Sequence, residues 1–310
     1  MEKIPVASGI MATNLHTLSP STNVIDGVSR LLENRVTGAP VVDADYNYKG
    51  IFSEKCSMDV LIGAARLYEQ RNRVLPTVAA SDIMQTDLVT LHPEDDAFEA
   101  IAKLLDNRIS GAPVVDANKR FIGSFSEKTS MSVLLGAAYD QLPTTTVANF
   151  MNVDPGRMIE ENLDWMSVAK IFLETPYRRL PVVRNGRLLG QISRRDVLRS
   201  ALHIAKRAPE YLEPVRNPIN SALPHTVGEA MDSTPRTIRP DLDLLTIATI
   251  FRDSPYRRLA VVQDGKLLGL VSRRDLLCAV RELLKTAPKH GRVPLYLSAI
   301  LDEEPATVTR

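Results

Sequence analysis

Apolar residues along the chain change period in a fixed order, and that order recurs four times. A short extended stretch comes first, ending in Thr17-Leu18, Thr90-Leu91 and Thr237-Ile238, or in Met158-Ile159 in the third copy. Helical spacing follows, as at Leu244, Ile247, Ala248 and Phe251, where residues three and four apart share one face. Two further apolar runs then flank a turn. Asn185-Gly186 and Asp264-Gly265 at that turn are strong short-range hairpin signals. The last run ends in a Ser that opens a second helix. The pattern predicts β-α-β-β-α, an α/β (α+β) unit present four times.

The copies fall into two pairs. Arg35-Val36-Thr37-Gly38-Ala39-Pro40-Val41-Val42-Asp43 returns 73 residues later as Arg108-Ile109-Ser110-Gly111-Ala112-Pro113-Val114-Val115-Asp116. Pro176-Tyr177-Arg178-Arg179-Leu180 returns 79 residues later as Pro255-Tyr256-Arg257-Arg258-Leu259. Such self-similarity marks a repeat architecture. The repeats are placed at residues 7–68, 81–140, 147–205 and 226–285, with a proline-rich linker at 206–225 and a tail at 286–310 that is expected to pack on the body.

The second helix of each repeat separates the pairs chemically. It opens with Ser53-Glu54-Lys55-Cys56 and Ser126-Glu127-Lys128-Thr129 in the first pair, but with Ser193-Arg194-Arg195-Asp196 and Ser272-Arg273-Arg274-Asp275 in the second. Charge divides the same way. Residues 1–146 carry 13 Lys and Arg against 18 Asp and Glu, whereas residues 147–310 carry 25 against 19, and 20 of those 25 are Arg. Arg is favoured where a planar, bidentate contact to phosphate or carboxylate matters.

Other chemistry is thin. Five His show no ligand spacing, so no metal site is expected. There is no Gly-rich phosphate loop and no Gly-x-Ser-x-Gly elbow. No apolar run approaches the roughly 18 residues of a membrane span. Two Cys and the absence of a signal layout suit a reducing, cytoplasmic setting. Basic residues sit at repeat-locked positions and aromatics are only 5%, which argues against nucleic acid as the partner.

The β-α-β-β-α unit with Gly-x-apolar-Ser-x-x-Asp at its last strand-to-helix junction resembles the CBS domain. Gly190-Gln191-Ile192-Ser193-Arg194-Arg195-Asp196 and Gly269-Leu270-Val271-Ser272-Arg273-Arg274-Asp275 carry the likeness, which extends over residues 7–285. The resemblance implies that adjacent repeats pair into two Bateman modules. These would form a disc similar in layout to the gamma subunit of AMP-activated protein kinase. It also implies adenosine ligands (AMP, ADP, ATP or S-adenosylmethionine) and no enzymatic activity of the CBS unit itself.

On that resemblance, Asp196 and Asp275 would accept the two hydroxyls of a ribose. Ser193, Arg194, Arg178 and Arg179 would face phosphate in repeat 3, and Ser272, Arg273, Arg257 and Arg258 in repeat 4. Adenine would lie against Met158, Ile159 and Ile192, or Thr237, Ile238 and Val271. A competing reading of Ser-x-x-Asp is a capping box, in which the Ser caps an early N–H and the acid reaches back. Because neighbours on a strand face opposite ways, one Arg of each pair is expected to reach a given cleft. Cys56 and Thr129 replace the acid in repeats 1 and 2, which are therefore expected to support or dock rather than bind nucleotide.

The function expected is a regulatory energy sensor that binds an adenine nucleotide and acts on an effector protein or through a homo-oligomer. The alternatives are a scaffold or dimerisation protein with vestigial sites and, with less in its favour, a nucleic-acid binder.

Overall fold

The structure, a computed structural model, describes residues 5–139, 145–217 and 222–286, without the side chains of 284–286. Repeat 1 comprises α1 (Ala7–Ile10), α2 (Val24–Glu33), β1 (Gly38–Val42), β2 (Tyr48–Ser53) and α3 (Glu54–Gln70). Repeat 2 comprises α4 (Ala80–Ile83), α5 (Ala97–Asp106), β3 (Gly111–Val115), β4 (Phe121–Ser126) and α6 (Glu127–Tyr139). Repeat 3 holds β5 (Ile159–Glu160), α7 (Trp165–Glu174), β6 (Arg179–Arg184), β7 (Arg187–Ser193) and α8 (Arg194–Arg207). A short α9 (Glu213–Arg216) follows it. Repeat 4 holds α10 (Val227–Ala230), β8 (Thr237–Ile238), α11 (Leu244–Asp253), β9 (Arg258–Gln263), β10 (Lys266–Ser272) and α12 (Arg273–Thr286).

Local chemistry starts each element where the sequence puts it. Asn23, Asp96, Asp164 and Asp243 cap the first helix of their repeats by accepting backbone N–H groups. Asn185, Gly186, Asp264 and Gly265 all take positive φ, as a two-residue type I′ hairpin requires. The hairpins are antiparallel, with Gly38, Gly111, Arg179 and Arg258 directly opposite the Ser that opens the second helix. The first extended stretch joins in parallel as β5 and β8; in repeats 1 and 2 it is reduced to single bridges at Leu18 and Leu91.

The repeats do not pair 1 with 2 and 3 with 4, as expected from adjacency. Backbone exchange couples repeat 1 to repeat 4 and repeat 2 to repeat 3. The Ala12 N–H donates to the Leu270 carbonyl at 2.8 Å, and the Ile51 N–H returns to Asp232 at 2.9 Å. The Gln85 and Gln191 amides bond reciprocally at 2.9 Å, and the Ser124 N–H reaches Asn152 at 2.9 Å. The physical reason is that the segment before each repeat lies on the sheet of its partner. Helices then pack along a second axis: α3 lies against α7 and α8, and α6 against α11 and α12. One buried core therefore joins repeats 1 and 3, and another joins repeats 2 and 4. Two two-repeat modules, 1 with 4 and 2 with 3, close a ring through these helices.

The linker is more ordered than a connector of prolines suggests. Residues Pro209–Leu212 form a 3₁₀ turn and α9 follows. Tyr211 is fully buried and its Oη donates to the Leu61 carbonyl at 2.7 Å, tying the linker to repeat 1. Linker residues 218–221 and tail residues 287–310 lie outside the described residues.

Candidate functional site

A cavity of about 290 Å³ opens between repeats 2 and 3. Repeat 3 contributes Arg179, Gln191, Ser193, Asp196 and Arg199. Repeat 2 contributes Gln85, Asp87, Leu88, Val89, Ile109, Gly111 and Pro113. The exchange of backbone places both sets together, because Gln85 pairs with Gln191 of β7. The volume is at the small end of ligand sites. A second cavity, about 260 Å³, lies within repeat 1 against His16, Arg30 and Asn34 and holds none of the candidate residues.

Ser193 and Asp196 form the capping box in full. The Ser193 N–H and Oγ both donate to Asp196 Oδ2, at 2.8 and 2.6 Å. In repeat 4 the Ser272 N–H and Oγ donate to Asp275 Oδ2, each at 2.7 Å. The cap engages only one oxygen, so Oδ1 keeps its acceptor capacity; at Asp196 its ion-pair neighbour is Arg199 Nη1 at 4.0 Å. Capping and ligand acceptance thus coexist in one side chain. Repeats 1 and 2 keep the cap alone. Thr129 Oγ1 accepts the Ser126 N–H at 2.7 Å, and Cys56 Sγ lies 3.2 Å from Ser53 Oγ.

The two Arg of each pair diverge, as strand alternation requires. Arg179 lines the cavity, and its Nη1 donates to the Gly111 carbonyl at 3.0 Å. Arg258, its equivalent, donates to Thr37 Oγ1 of repeat 1. Arg178 turns the other way and donates to the Pro255 carbonyl at 3.3 Å. Arg257 approaches the Glu127 carboxylate, Nε to Oε2, at 3.5 Å. Burial, reinforced by Arg194, Arg257 and Arg273, pushes Arg178 down to about 9. Burial and then Arg257 bring Arg258 to about 10. At neutral pH these guanidinium groups remain charged, in a centre that is short of negative charge.

Arg194 and Arg273 are placed elsewhere than expected. Each is 6% exposed and folds back over the first helix of its own repeat. Arg194 Nη2 donates to the Phe172 and Thr175 carbonyls at 3.0 and 3.3 Å, and Arg273 Nη2 to those of Phe251 and Ser254 at 3.0 and 3.1 Å. A cation there satisfies the orphan carbonyls at a helix C-terminus. They hold the repeat together rather than line the cavity.

The expected adenine surface is also corrected. Ile159, Ile192, Ile238 and Val271 are buried core residues. Thr237 belongs to β8 of repeat 4, and Met158 lies off the wall of the repeat 2/3 cavity. Its apolar side comes from repeat 2, through Leu88, Val89, Ile109 and Pro113. Sequence reasoning missed these residues and Arg199, because it treated each repeat as its own site. Tyr177 is engaged too, donating to Asp154 beneath the Arg157 guanidinium, which lies 4.9 Å from the ring centroid.

The post-Ser charges have a partner relationship invisible within one repeat. Glu54 sits 3.3 Å from Arg195, and Glu127 sits 3.6 Å from Arg274, Nε to carboxylate in both. Both acids are buried. The Ser-Glu-Lys and Ser-Arg-Arg openings are therefore complementary halves of helix contacts 1–3 and 2–4. Among the described residues no group of three or more His, Cys, Asp or Glu could hold a metal, and no helix is long and apolar enough to cross a membrane.

Comparison with known proteins finds relatives built of CBS domains. The chain is 29% identical over 196 residues to CBSX1, a chloroplastic CBS domain-containing protein of Arabidopsis thaliana, covering 62% of this chain and 61% of that protein. It is 25% identical over 273 residues to protein MJ1225 of Methanocaldococcus jannaschii, covering 84% and 93%. Solved structures include CBSX2 in complex with AMP, at 27% identity over 41% of this chain and 97% of that one, with TM-score 0.35. MJ1225 itself gives 22% identity, coverage of 89% and 99%, and TM-score 0.39. The CBS domain family matches residues 6–55, 80–129, 147–203 and 227–282, and the chain belongs to that family as a four-repeat protein with two Bateman modules.

Proposed function

We propose that this chain is a non-enzymatic regulatory protein whose repeat 2/3 cleft binds an adenine nucleotide (AMP, ADP or ATP). The observation that carries the reading is the meeting of Asp196, Ser193 and Arg179 in one cavity. Asp196 Oδ1 offers a ribose acceptor, and the start of α8 with Arg179 offers phosphate donors. A charge-assisted contact of this kind contributes on the order of 1.5–3 kcal/mol. A sequence relative, CBSX2, 27% identical over 194 residues, has been solved with AMP. Asp275, Ser272 and Arg258 repeat the arrangement where repeat 4 meets repeat 1. Nucleotide held between two repeats would bias how they sit together, and that bias would reach an effector protein or a second copy of the chain.

Calorimetric titration with AMP, ADP, ATP and S-adenosylmethionine tests the reading. Binding below the millimolar range by wild type, weakened in Asp196→Ala, is expected. No binding by wild type to any of the four would sink it.

A further inference from the structure

Four equivalent backbone crossings join the repeats within the two modules, and they carry different side chains. Ala12 meets Leu270, Ile51 meets Asp232, Ser124 meets Asn152 and Gln85 meets Gln191. Of the four, the last puts an amide on both sides. Gln85 and Gln191 line the repeat 2/3 cavity, and among the described residues neither side-chain amide has a hydrogen-bond partner. Asp87 stands on the same cavity wall in the same condition.

The Ser124–Asn152 crossing of the same module is filled by the chain itself. Arg157 Nη1 donates to Ser124 Oγ at 2.5 Å and to Asn152 Oδ1 at 3.4 Å. Its guanidinium lies over Tyr177, 4.9 Å from the ring centroid. Tyr177 stands two residues before Arg179, as Ile109 of the cavity stands two before Gly111. A flat N–H donor thus occupies this crossing, held by oxygen acceptors above a side chain. At the Gln85–Gln191 crossing, Val89 holds the place of Arg157: each lies two residues before the apolar residue that pairs in parallel, Leu91 and Ile159. Val brings no donor, so the acceptors there stay free and the cavity stays open.

A base suits that place. Gln191 and Ser193 are two apart on β7 and share a face, about 7 Å from one another. With ribose at Ser193 and Asp196, a base running along β7 reaches the Gln pair beside Leu88, Val89 and Ile109. Adenine shows an N6–H donor next to the N7 acceptor, and a Gln amide meets both; a 6-oxo purine shows two acceptors there and loses one bond. Asp87 is acceptor-only when ionised, so it favours the amine as well.

We propose that Gln191, together with Gln85, is a specificity-determining residue that reads the 6-amino group of adenine and disfavours 6-oxo purines in the repeat 2/3 cleft. The inference rests on the nucleotide reading above and deepens it. It also separates this cleft from that of repeat 4, where Leu270 and Ala12 offer no such group.

Calorimetric titration of the full chain with AMP and with inosine monophosphate, in wild type, Gln191→Leu and Gln85→Ala, tests it. Binding at this cleft is the component that Asp196→Ala removes, so repeat 4 cannot mask it. Wild type should prefer AMP by about tenfold or more. Gln191→Leu, copying the side chain that repeat 4 has at Leu270, should bring the preference within about threefold by weakening AMP and sparing inosine monophosphate. Equal or tighter binding of inosine monophosphate by wild type would overturn the inference. An unchanged ratio in Gln191→Leu, with both nucleotides weakened alike, would make Gln191 structural and overturn it too. Should that variant not fold, the wild-type ratio and Gln85→Ala, at an exposed position, decide in the same way. No such component with either nucleotide would instead remove the nucleotide reading, and this inference with it.

Discussion

Arg179 and Gly111 are joined across the module interface, the guanidinium Nη1 of one repeat donating to the main-chain carbonyl of the other at 3.0 Å. Gly111 occupies in β3 the register position that Arg179 occupies in β6, each opposite its own Ser. The cavity-lining cation of repeat 3 thus leans on the place where repeat 2 has no side chain. Repeats with and without Arg are complementary at this point, as they are at Glu54 and Glu127.

Arg179 should therefore contribute to binding at the expense of stability. Burial lowers its proton affinity, meaning that the folded protein disfavours its charge. Arg179→Met keeps the apolar stem and removes that charge. The melting temperature without ligand should stay level or rise, while nucleotide affinity falls about 10–100-fold. A lower melting temperature with unchanged affinity would make Arg179 a structural residue only.

The Glu54–Arg195 pair should couple repeats 1 and 3. Side-chain exposure is 9% for Glu54 and 23% for Arg195, so solvent screens the pair only in part. Removing Glu54 leaves Arg195 with a neutral acceptor, the Arg35 carbonyl at 3.0 Å. Glu54→Ala is expected to cost about 2–3 kcal/mol, below the 3–5 of a wholly buried pair. A double-mutant cycle with Arg195→Ala, followed by urea denaturation, should return a coupling of about 1–3 kcal/mol. Additive effects would show that the two charges act separately.

Much of this fold was legible from pattern alone. Asn185-Gly186 and Asp264-Gly265 named their hairpins, and Ser193 and Ser272 named the helix starts, because turn and cap chemistry is local. The partner of each repeat was not legible, since nothing within Gly190 or Gln191 says that residues 84 and 85 cross them. The same gap explains the cavity. Asp196, Ser193 and Arg179 were found on one repeat, while Leu88, Val89 and Ile109 come from another. Arg194 and Arg273 misled for a different reason: a charged residue after the Ser can turn back to the first helix as readily as forward to a ligand.

The helix caps predict an acid limb. Asp164 is pushed up by burial, but the Ser167 hydroxyl and the N–H groups of Ser167, Met166 and Asp164 outweigh this and hold it below 3.8. Asp243 is lowered against burial in the same way, with Thr246 as donor. A carboxyl depressed on folding contributes stability that is complete above its unfolded value. That contribution is lost as pH falls through the lower folded value. Urea midpoints should therefore drop below about pH 4. The drop should be shallower in the Asp164→Asn, Asp243→Asn double variant, where the caps remain but no longer titrate. Parallel acid limbs would assign the loss to other carboxyls.

Gly190 should be a position where assembly of the repeat 2/3 module is sensitive to one methyl group. A Cβ there would lie 2.6 Å from Met84 Sδ and 2.8 Å from the Gln85 carbonyl, and the equivalent at Gly269 would lie 2.7 Å from Met11 Sδ and 2.8 Å from the Ala12 carbonyl. Met is flexible and can yield, but the Gln85 carbonyl is fixed by its reciprocal bonds to Gln191. Gly190→Ala must therefore push residues 84–85 off β7. Overpacking of this kind costs about 1–3 kcal/mol. It would also widen the cavity, because Gln85 and Gln191 line it. The expected outcome is a lower melting temperature together with weaker nucleotide binding. Gly9→Ala, with nothing within 4 Å of the added carbon, should leave both unchanged. If Gly190→Ala behaved like Gly9→Ala, repeats 2 and 3 would not meet along β7, and the cavity between them would lose its basis.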